Sequence, residues 1–187
     1  MTKENLMKII KDIKGTAPDI LYSDNFKSSD QNMQHGNISV MKHSKKVACT
    51  AVAISRKLNL KCDETAIMRG ALLHDYFLYD WHTPEHAGFK NLHGFHHPGI
   101  ALENAEKEYD LSERERDIIK KHMWPLTIVP PKFKESWVVT LADKYVSTTE
   151  SLHFIKAAKA RKDKYAPSKE PIRIRRKEKY VTLHRMS

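Results

Sequence analysis

Eleven histidines stand out in a chain of 187 residues, and six of them (His74, His82, His86, His93, His96 and His97) fall within a twenty-four-residue window. Three chemistry-bearing residues lie on core-facing positions of helical segments. His43 is three residues after Val40 and four before Val47, His74 three after Ala71 and four before Leu78, and Asp143 shares a strip with Val139 and Val146. Asp75 adjoins His74. A polar group buried without a partner costs about 2–7 kcal/mol, so something must satisfy these four. Imidazole nitrogen and carboxylate oxygen are what divalent transition metals take as ligands, and an ion would neutralise the carboxylates while fixing each imidazole. The other reading is a set of separate core histidines with the acids turned to solvent. For one residue alone that is the simpler account; for four together a shared ion explains more.

The segments that must position these residues carry apolar side chains at a period near 3.6, with no sustained alternation, so the fold class is all-α. A first helix is predicted over 2–14, stopping at Gly15, followed by a polar stretch to Gly36 with room for a short helix. The next, 38–58, has Val40, Val47, Ala51, Ile54 and Leu58 on one stripe with His43. Asp63 is a candidate N-cap for a helix with the stripe Ile67, Ala71, His74, Leu78. Residues 79–99 hold Gly, Pro, His and aromatics in the manner of a long functional loop. Pro98 suits the first turn of a helix reaching Tyr109, with His97 at its entrance. Ser112 and Glu115 form a capping box for a helix through Met123, in which Ile118 and His122 share a face. A last helix from about Glu135 has Val138, Leu141, Tyr145, Leu152 and Ile155 on its main stripe, and beyond Ile155 the pattern dissolves.

Charge separates body from tail. Of the formal net charge of +10, residues 156–187 carry +9, with twelve basic side chains against three acidic. The body is therefore near neutral and nucleic acid is not its default partner. No apolar run approaches the roughly 18 residues a bilayer span requires, and the N-terminus lacks the apolar core of a signal peptide, so a cytoplasmic home without membrane contact is expected. Cys49 and Cys62 fit neither a disulfide framework nor a thiolate metal cluster and read as ordinary buried thiols. Three regions are expected: an N-terminal helix and polar segment at 1–34, a core at 35–155, and a basic tail at 156–187 that is disordered or ordered by a partner.

His43 in KHSKKVA, His74–Asp75 in RGALLHD and Asp143 in LADKYVS resemble, in order and spacing, the HD-domain superfamily of metal-dependent phosphohydrolases. His97 in HHPGIA and His122 in IIKKHMWP resemble the two extra histidines of its dinuclear branches, such as the bacterial hydrolases of symmetrical dinucleoside tetraphosphates. The phrases HGNISVMKHS and HDYFLYDW resemble a set of small bacterial HD proteins. Tyr76–Phe77–Leu78 stands where the cyclic-dinucleotide phosphodiesterases carry a small-residue–Gly–Lys run, and no Gly-Tyr-Pro follows, which disfavours that activity. The resemblance implies a helical HD bundle with a basic C-terminal tail. It also implies one or two divalent ions (Fe, Mn, Zn, Co or Ni), the first held by His43, His74, Asp75 and Asp143, the second by Asp75, His97 and His122. Such an ion lowers the pKa of bound water from about 15.7 towards about 7, so hydroxide is present near neutrality for in-line attack on phosphorus.

Asp75 is then also the candidate catalytic residue that orients the water. Lys144 either meets a phosphate oxygen or is a solvated helix lysine. His96 either replaces its neighbour His97 as ligand or contacts substrate; His97 is preferred because Pro98–Gly99–Ile100 matches the family's downstream context. The expected function is hydrolysis of a phosphoester or phosphoanhydride in a nucleotide or other small molecule. The alternatives are a nucleotide-sensing HD module without turnover, and a protein whose basic tail binds nucleic acid or an acidic partner.

Overall fold

The structure, a computed structural model, describes residues 2–35, 38–79 and 93–164. Eight helices and one small hairpin make up these residues: α1 (Lys3–Thr16), α2 (Pro18–Leu21), α3 (Asp24–Ser28), β1 (Met33–His35), β2 (Ile38–Ser39), α4 (Val40–Lys57), α5 (Glu64–Leu73), α6 (His93–Glu108), α7 (Glu113–Lys121) and α8 (Lys134–Lys164). The architecture is the all-α bundle expected. None of the described helices is long and apolar enough to cross a membrane.

Local chemistry sets the helix starts. Thr2, Ser23, Ser39 and Asp63 each accept a backbone N–H of the first turn of α1, α3, α4 and α5. Ser112 and Glu115 close the predicted capping box on α7. Helix α4 is the centre, packed between α5 and α8; α7 bridges α5 and α8, α6 lies on α7, and α1 covers α4 and α5. The core they enclose includes Val47, Ala51 and Val52 of α4, Ile67, Ala71 and Leu72 of α5, Ile118 and Ile119 of α7, and Val139, Ala142 and Val146 of α8. Asp117 on α7 ties the entrance of α8 in place, accepting from the backbone N–H groups of Lys132 and Phe133 and from Ser136 Oγ at 2.6 Å.

Several expectations are corrected. Helix α8 turns inward mainly the strip adjoining its predicted apolar stripe: Val139, Ala142, Asp143, Val146 and Glu150 are buried, whereas of the stripe only Val138 is buried and Leu141, Tyr145, Leu152 and Ile155 are exposed. Close packing of small and β-branched side chains on α4, together with the two acids that meet His43, outweighs the larger residues on the other face. Helix α6 begins at His93, so Pro98 lies inside it and His97 is one turn in rather than at its entrance. Helix α5 ends at Leu73, and Leu78 adopts a positive φ of 56°, so it is not a further step of that helix stripe. Leu58 caps the end of α4 and is exposed, because the chain leaves the helix there. The hairpin β1–β2 falls in the stretch read as polar and helical. Residues 80–92, with His82 and His86, and 165–187 of the basic tail lie outside the described residues. Helix α8 nevertheless continues past Ile155 to Lys164.

Gly70 is a point of close approach between α5 and α7. A Cβ there would lie 2.7 Å from Ile118 Cδ1 and 3.0 Å from Ile118 Cβ. Gly70→Ala is expected to destabilise the fold by about 1–2 kcal/mol, because overpacking costs about 1–3 kcal/mol and the gain in helix propensity returns at most about 1 kcal/mol. A denaturant midpoint equal to that of the unaltered protein would show that the two helices separate without penalty.

The end of α8 offers a second test. Residues 151–160 are exposed and none of the candidate metal ligands lies beyond Asp143. A chain ending at Ala160 should fold with the same thermal midpoint and the same metal content; loss of metal on truncation would show that the tail closes the site.

Candidate metal centre

Five helices bring their ends or middles to one buried point. His43 comes from the second turn of α4, Asp143 from the third turn of α8, His97 from α6, and His74 and His122 from the C-caps of α5 and α7. Asp75 follows His74 in the turn after α5. That turn is anchored by buried Tyr76, whose hydroxyl donates to Glu108 at 2.9 Å, and by the Asn104 side chain, which donates to the carbonyls of Tyr76 and Phe77. All six residues are buried, at most 7% exposed.

The Asp75 carboxylate stands between two sets of imidazoles. Its Oδ2 lies 3.2 Å from His74 Nε2 and 3.7 Å from His43 Nε2. Its Oδ1 lies 3.2 Å from His97 Nε2 and 3.5 Å from His122 Nε2. Asp143 Oδ1 completes the first set, 3.1 Å from His43 Nε2 and 3.8 Å from His74 Nε2. The Nδ1 atoms face away from the centre. His74 Nδ1 donates to the Ala71 carbonyl and His122 Nδ1 to the Ile119 carbonyl, both at 2.8 Å, and His43 Nδ1 donates to Glu150 Oε2 at 2.9 Å. Each of these three imidazoles thereby turns its Nε2 inward.

Electrostatics follow the geometry. Burial disfavours the Asp75 charge, but His74 and His97 outweigh it and hold the carboxyl well below its usual range. Asp143 is likewise lowered against its burial by His43 and His74. Burial opposes protonation of His43 and His74 too, yet the carboxylates around them raise both pKa values. His122 goes the other way: burial, then the charges of His74 and His97, push it down to about 3, so it remains neutral.

A metal fits this donor set on two observations. His74 Nε2 and Asp75 Oδ1 are buried without a hydrogen-bond partner, although they sit at the centre of the cluster, and such orphaned atoms are rare in a fold unless something else engages them. His97 Nε2 and His122 Nε2 are 2.9 Å apart, close to the roughly 3 Å separating two cis nitrogens that each lie about 2.1 Å from one ion. Among the described residues, two groups meet the spacing a metal requires: His43, His74 and Asp143, and His74, Asp75 and His122.

Residues 40–148 match the family profile of the HD domain. The chain belongs to the HD-domain family. Comparisons with curated proteins and with solved structures found no match. All six clustered residues, the doublet His74–Asp75 among them, lie within the matched span. HD domains bind divalent metals and form a superfamily of metal-dependent phosphohydrolases, which agrees with the buried His/Asp groups here.

Around this HD centre the structure separates residues that the sequence left together. His97 is buried in the cluster, whereas His96 is exposed. Lys144 is partly buried, its ammonium 3.4 Å from the His122 carbonyl, and burial lowers its pKa despite Asp143. Three further side chains reach the site unforeseen. Gln34, from β1, donates to Asp75 Oδ2 at 2.7 Å and leaves its buried Oε1 without a partner; Ser147 donates to Asp143 Oδ1 at 3.1 Å; Glu150 holds His43. Ser147 and Glu150 follow Asp143 by one and two helical turns, which is a readable signal once the inward face of α8 is known. For Gln34 no sequence signal exists, since a short irregular hairpin delivers it.

Proposed function

We propose that this protein is a phosphohydrolase of nucleotides or related small phosphoesters, with His43, His74, Asp75 and Asp143 holding one divalent ion and Asp75, His97 and His122 a second. The observation that carries this reading is the Asp75 carboxylate, one oxygen turned to each set of imidazoles. When bound, the ions supply acidified water at neutral pH and offset charge on the phosphoryl oxygens. The chain's own residues do the positioning. Gln34 fixes the Asp75 carboxylate plane through Oδ2, and its second amide atom, Oε1, is free to accept a hydrogen bond from a water beside Asp75. Lys144, held by the His122 carbonyl at a long 3.4 Å, can transfer its ammonium to a phosphate oxygen. His96, exposed beside His97, takes the role of substrate contact rather than ligand. Kinship with the dinucleoside-tetraphosphate hydrolases and the small bacterial HD proteins, and a cytoplasmic home, belong to the same proposal.

The deciding experiment is a screen of nucleotides and simple phosphoesters against the purified protein loaded in turn with Fe, Mn, Zn, Co and Ni, paired with metal analysis. Turnover confined to metal-loaded protein is expected. Tight nucleotide binding with no turnover under any metal would make this pocket a sensing site instead.

The pKa shifts add a pH test. His43 and His74 are raised in the metal-free protein, so near neutrality an ion must displace their protons. Metal affinity should therefore rise with pH, by about tenfold per unit for each proton displaced, until both histidines are neutral. A pH-independent affinity between pH 5 and pH 8, roughly the window in which imidazole titrates, would show that neither histidine is a ligand.

A further inference from the structure

The geometry points to Glu150, anchored by Lys46, as a positioning residue that orients His43 and strengthens it as a ligand; this rests on the metal site proposed above. Glu150 lies two turns beyond Asp143 on α8 and is 5% exposed. Both of its oxygens are engaged: Oε2 accepts from His43 Nδ1 at 2.9 Å, and Oε1 accepts from Lys46 Nζ at 3.2 Å. Lys46 follows His43 by three residues on α4, so the same two helices are joined twice at this level.

The three histidines differ in how their outer nitrogens are satisfied. His74 and His122 sit at the C-caps of α5 and α7, where the last carbonyls have no intrahelical partner, and each takes the carbonyl three residues back. His43 lies inside α4, where the preceding carbonyls are already bonded within the helix, so its acceptor must come from elsewhere in the chain. The acceptor is a carboxylate. An anion behind Nδ1 makes Nε2 a better donor than a neutral carbonyl does, and partners of this kind typically change metal affinity 10- to 100-fold. A carboxylate accepts only, which keeps a proton on Nδ1 and leaves Nε2, 3.1 Å from Asp143, as the nitrogen an ion would take once its proton is displaced. Lys46, with its side chain half exposed, offsets the burial of the Glu150 charge without itself entering the centre.

The test compares the full-length protein with Glu150→Gln and Lys46→Met. Gln keeps the volume and an acceptor oxygen while removing the charge, so a merely space-filling Glu150 would tolerate it. Cobalt(II) is titrated into metal-free protein, its affinity is measured by chelator competition, and its visible absorption reports the ligand field. Glu150→Gln should keep its helical circular dichroism, weaken cobalt binding about 10- to 100-fold and shift the absorption bands. Lys46→Met should move both in the same direction by less. Unchanged affinity and bands in folded Glu150→Gln would overturn the assignment; should that variant fail to fold, unchanged cobalt binding by Lys46→Met would do so. Nitrogen-15 NMR of the zinc-loaded protein separates this inference from the reading beneath it. Failure of the unaltered protein to bind cobalt would sink the metal site, whereas a His43 proton found on Nε2 rather than Nδ1 would sink the role of Glu150.

Discussion

Asp75→Ala should abolish metal binding and turnover together while leaving the helical fold in place. The carboxylate reaches all four clustered imidazoles, with Oδ2 towards His43 and His74 and Oδ1 towards His97 and His122. Removing it leaves the first set with a single carboxylate, Asp143, and the second with none, so both ions lose the charge that offsets their desolvation. The ions' stabilisation of phosphoryl charge amounts to several kcal/mol, which at about 1.4 kcal/mol per tenfold corresponds to a fall of about 10²- to 10³-fold or more in turnover. The fold should survive because Asp75 lies in a turn after α5, and that turn is held by Tyr76, Glu108 and Asn104 rather than by the carboxylate. Metal analysis, turnover and circular dichroism on one preparation decide the outcome. Equal metal content in the variant and the unaltered protein would remove Asp75 from the centre and with it the bridging arrangement.

Periodicity carried the inward placement of His43, His74 and Asp143, because a polar residue in register with buried neighbours three and four positions away has nowhere else to point. Caps were readable for the same local reason: Asp63 and the Ser112–Glu115 box act within one turn. What the sequence hid depends on distance along the chain. Helix α8 presents two candidate faces, and only α4, with His43 at its buried side, selects the one bearing Asp143 and Glu150 over the one bearing Leu141 and Tyr145. Propensity and hydrophobic size favour the wrong face, and tertiary packing overrides them. Gln34 was invisible for a stronger reason. Its role arises from a short two-stranded hairpin that lays one amide against Asp75, and no period or cap marks such a contact. Between the adjacent His96 and His97 the residues downstream already favoured His97, and burial separates the two because one helical step of about 100° takes a core position to solvent.

Replacing His97 and His122 together by Ala should leave one ion bound and lower turnover. The first set draws His43 and Asp143 from within α4 and α8, and each is braced from behind, His43 by Glu150 and Asp143 by Ser147. The second set is lighter: two imidazoles and one shared carboxylate oxygen, with His122 at a helix end. His122 is also neutral in the metal-free protein, its pKa pushed down to about 3, so its loss removes a lone pair without disturbing a charge. The double variant therefore keeps His43, His74, Asp75 and Asp143 intact for one ion. It loses the second ion's share of phosphoryl stabilisation, several kcal/mol or about 10²- to 10³-fold in turnover. The binding of that remaining ion should stay within a few-fold of its original affinity, since none of its donors is altered. Metal stoichiometry and kinetics on the same preparation separate the outcomes. Unchanged turnover would mean a mononuclear enzyme in which the His97–His122 contact at 2.9 Å serves packing. Complete loss of metal would mean that the imidazoles form one undivided site, and that Asp75 turns both oxygens to a single ion rather than bridging two.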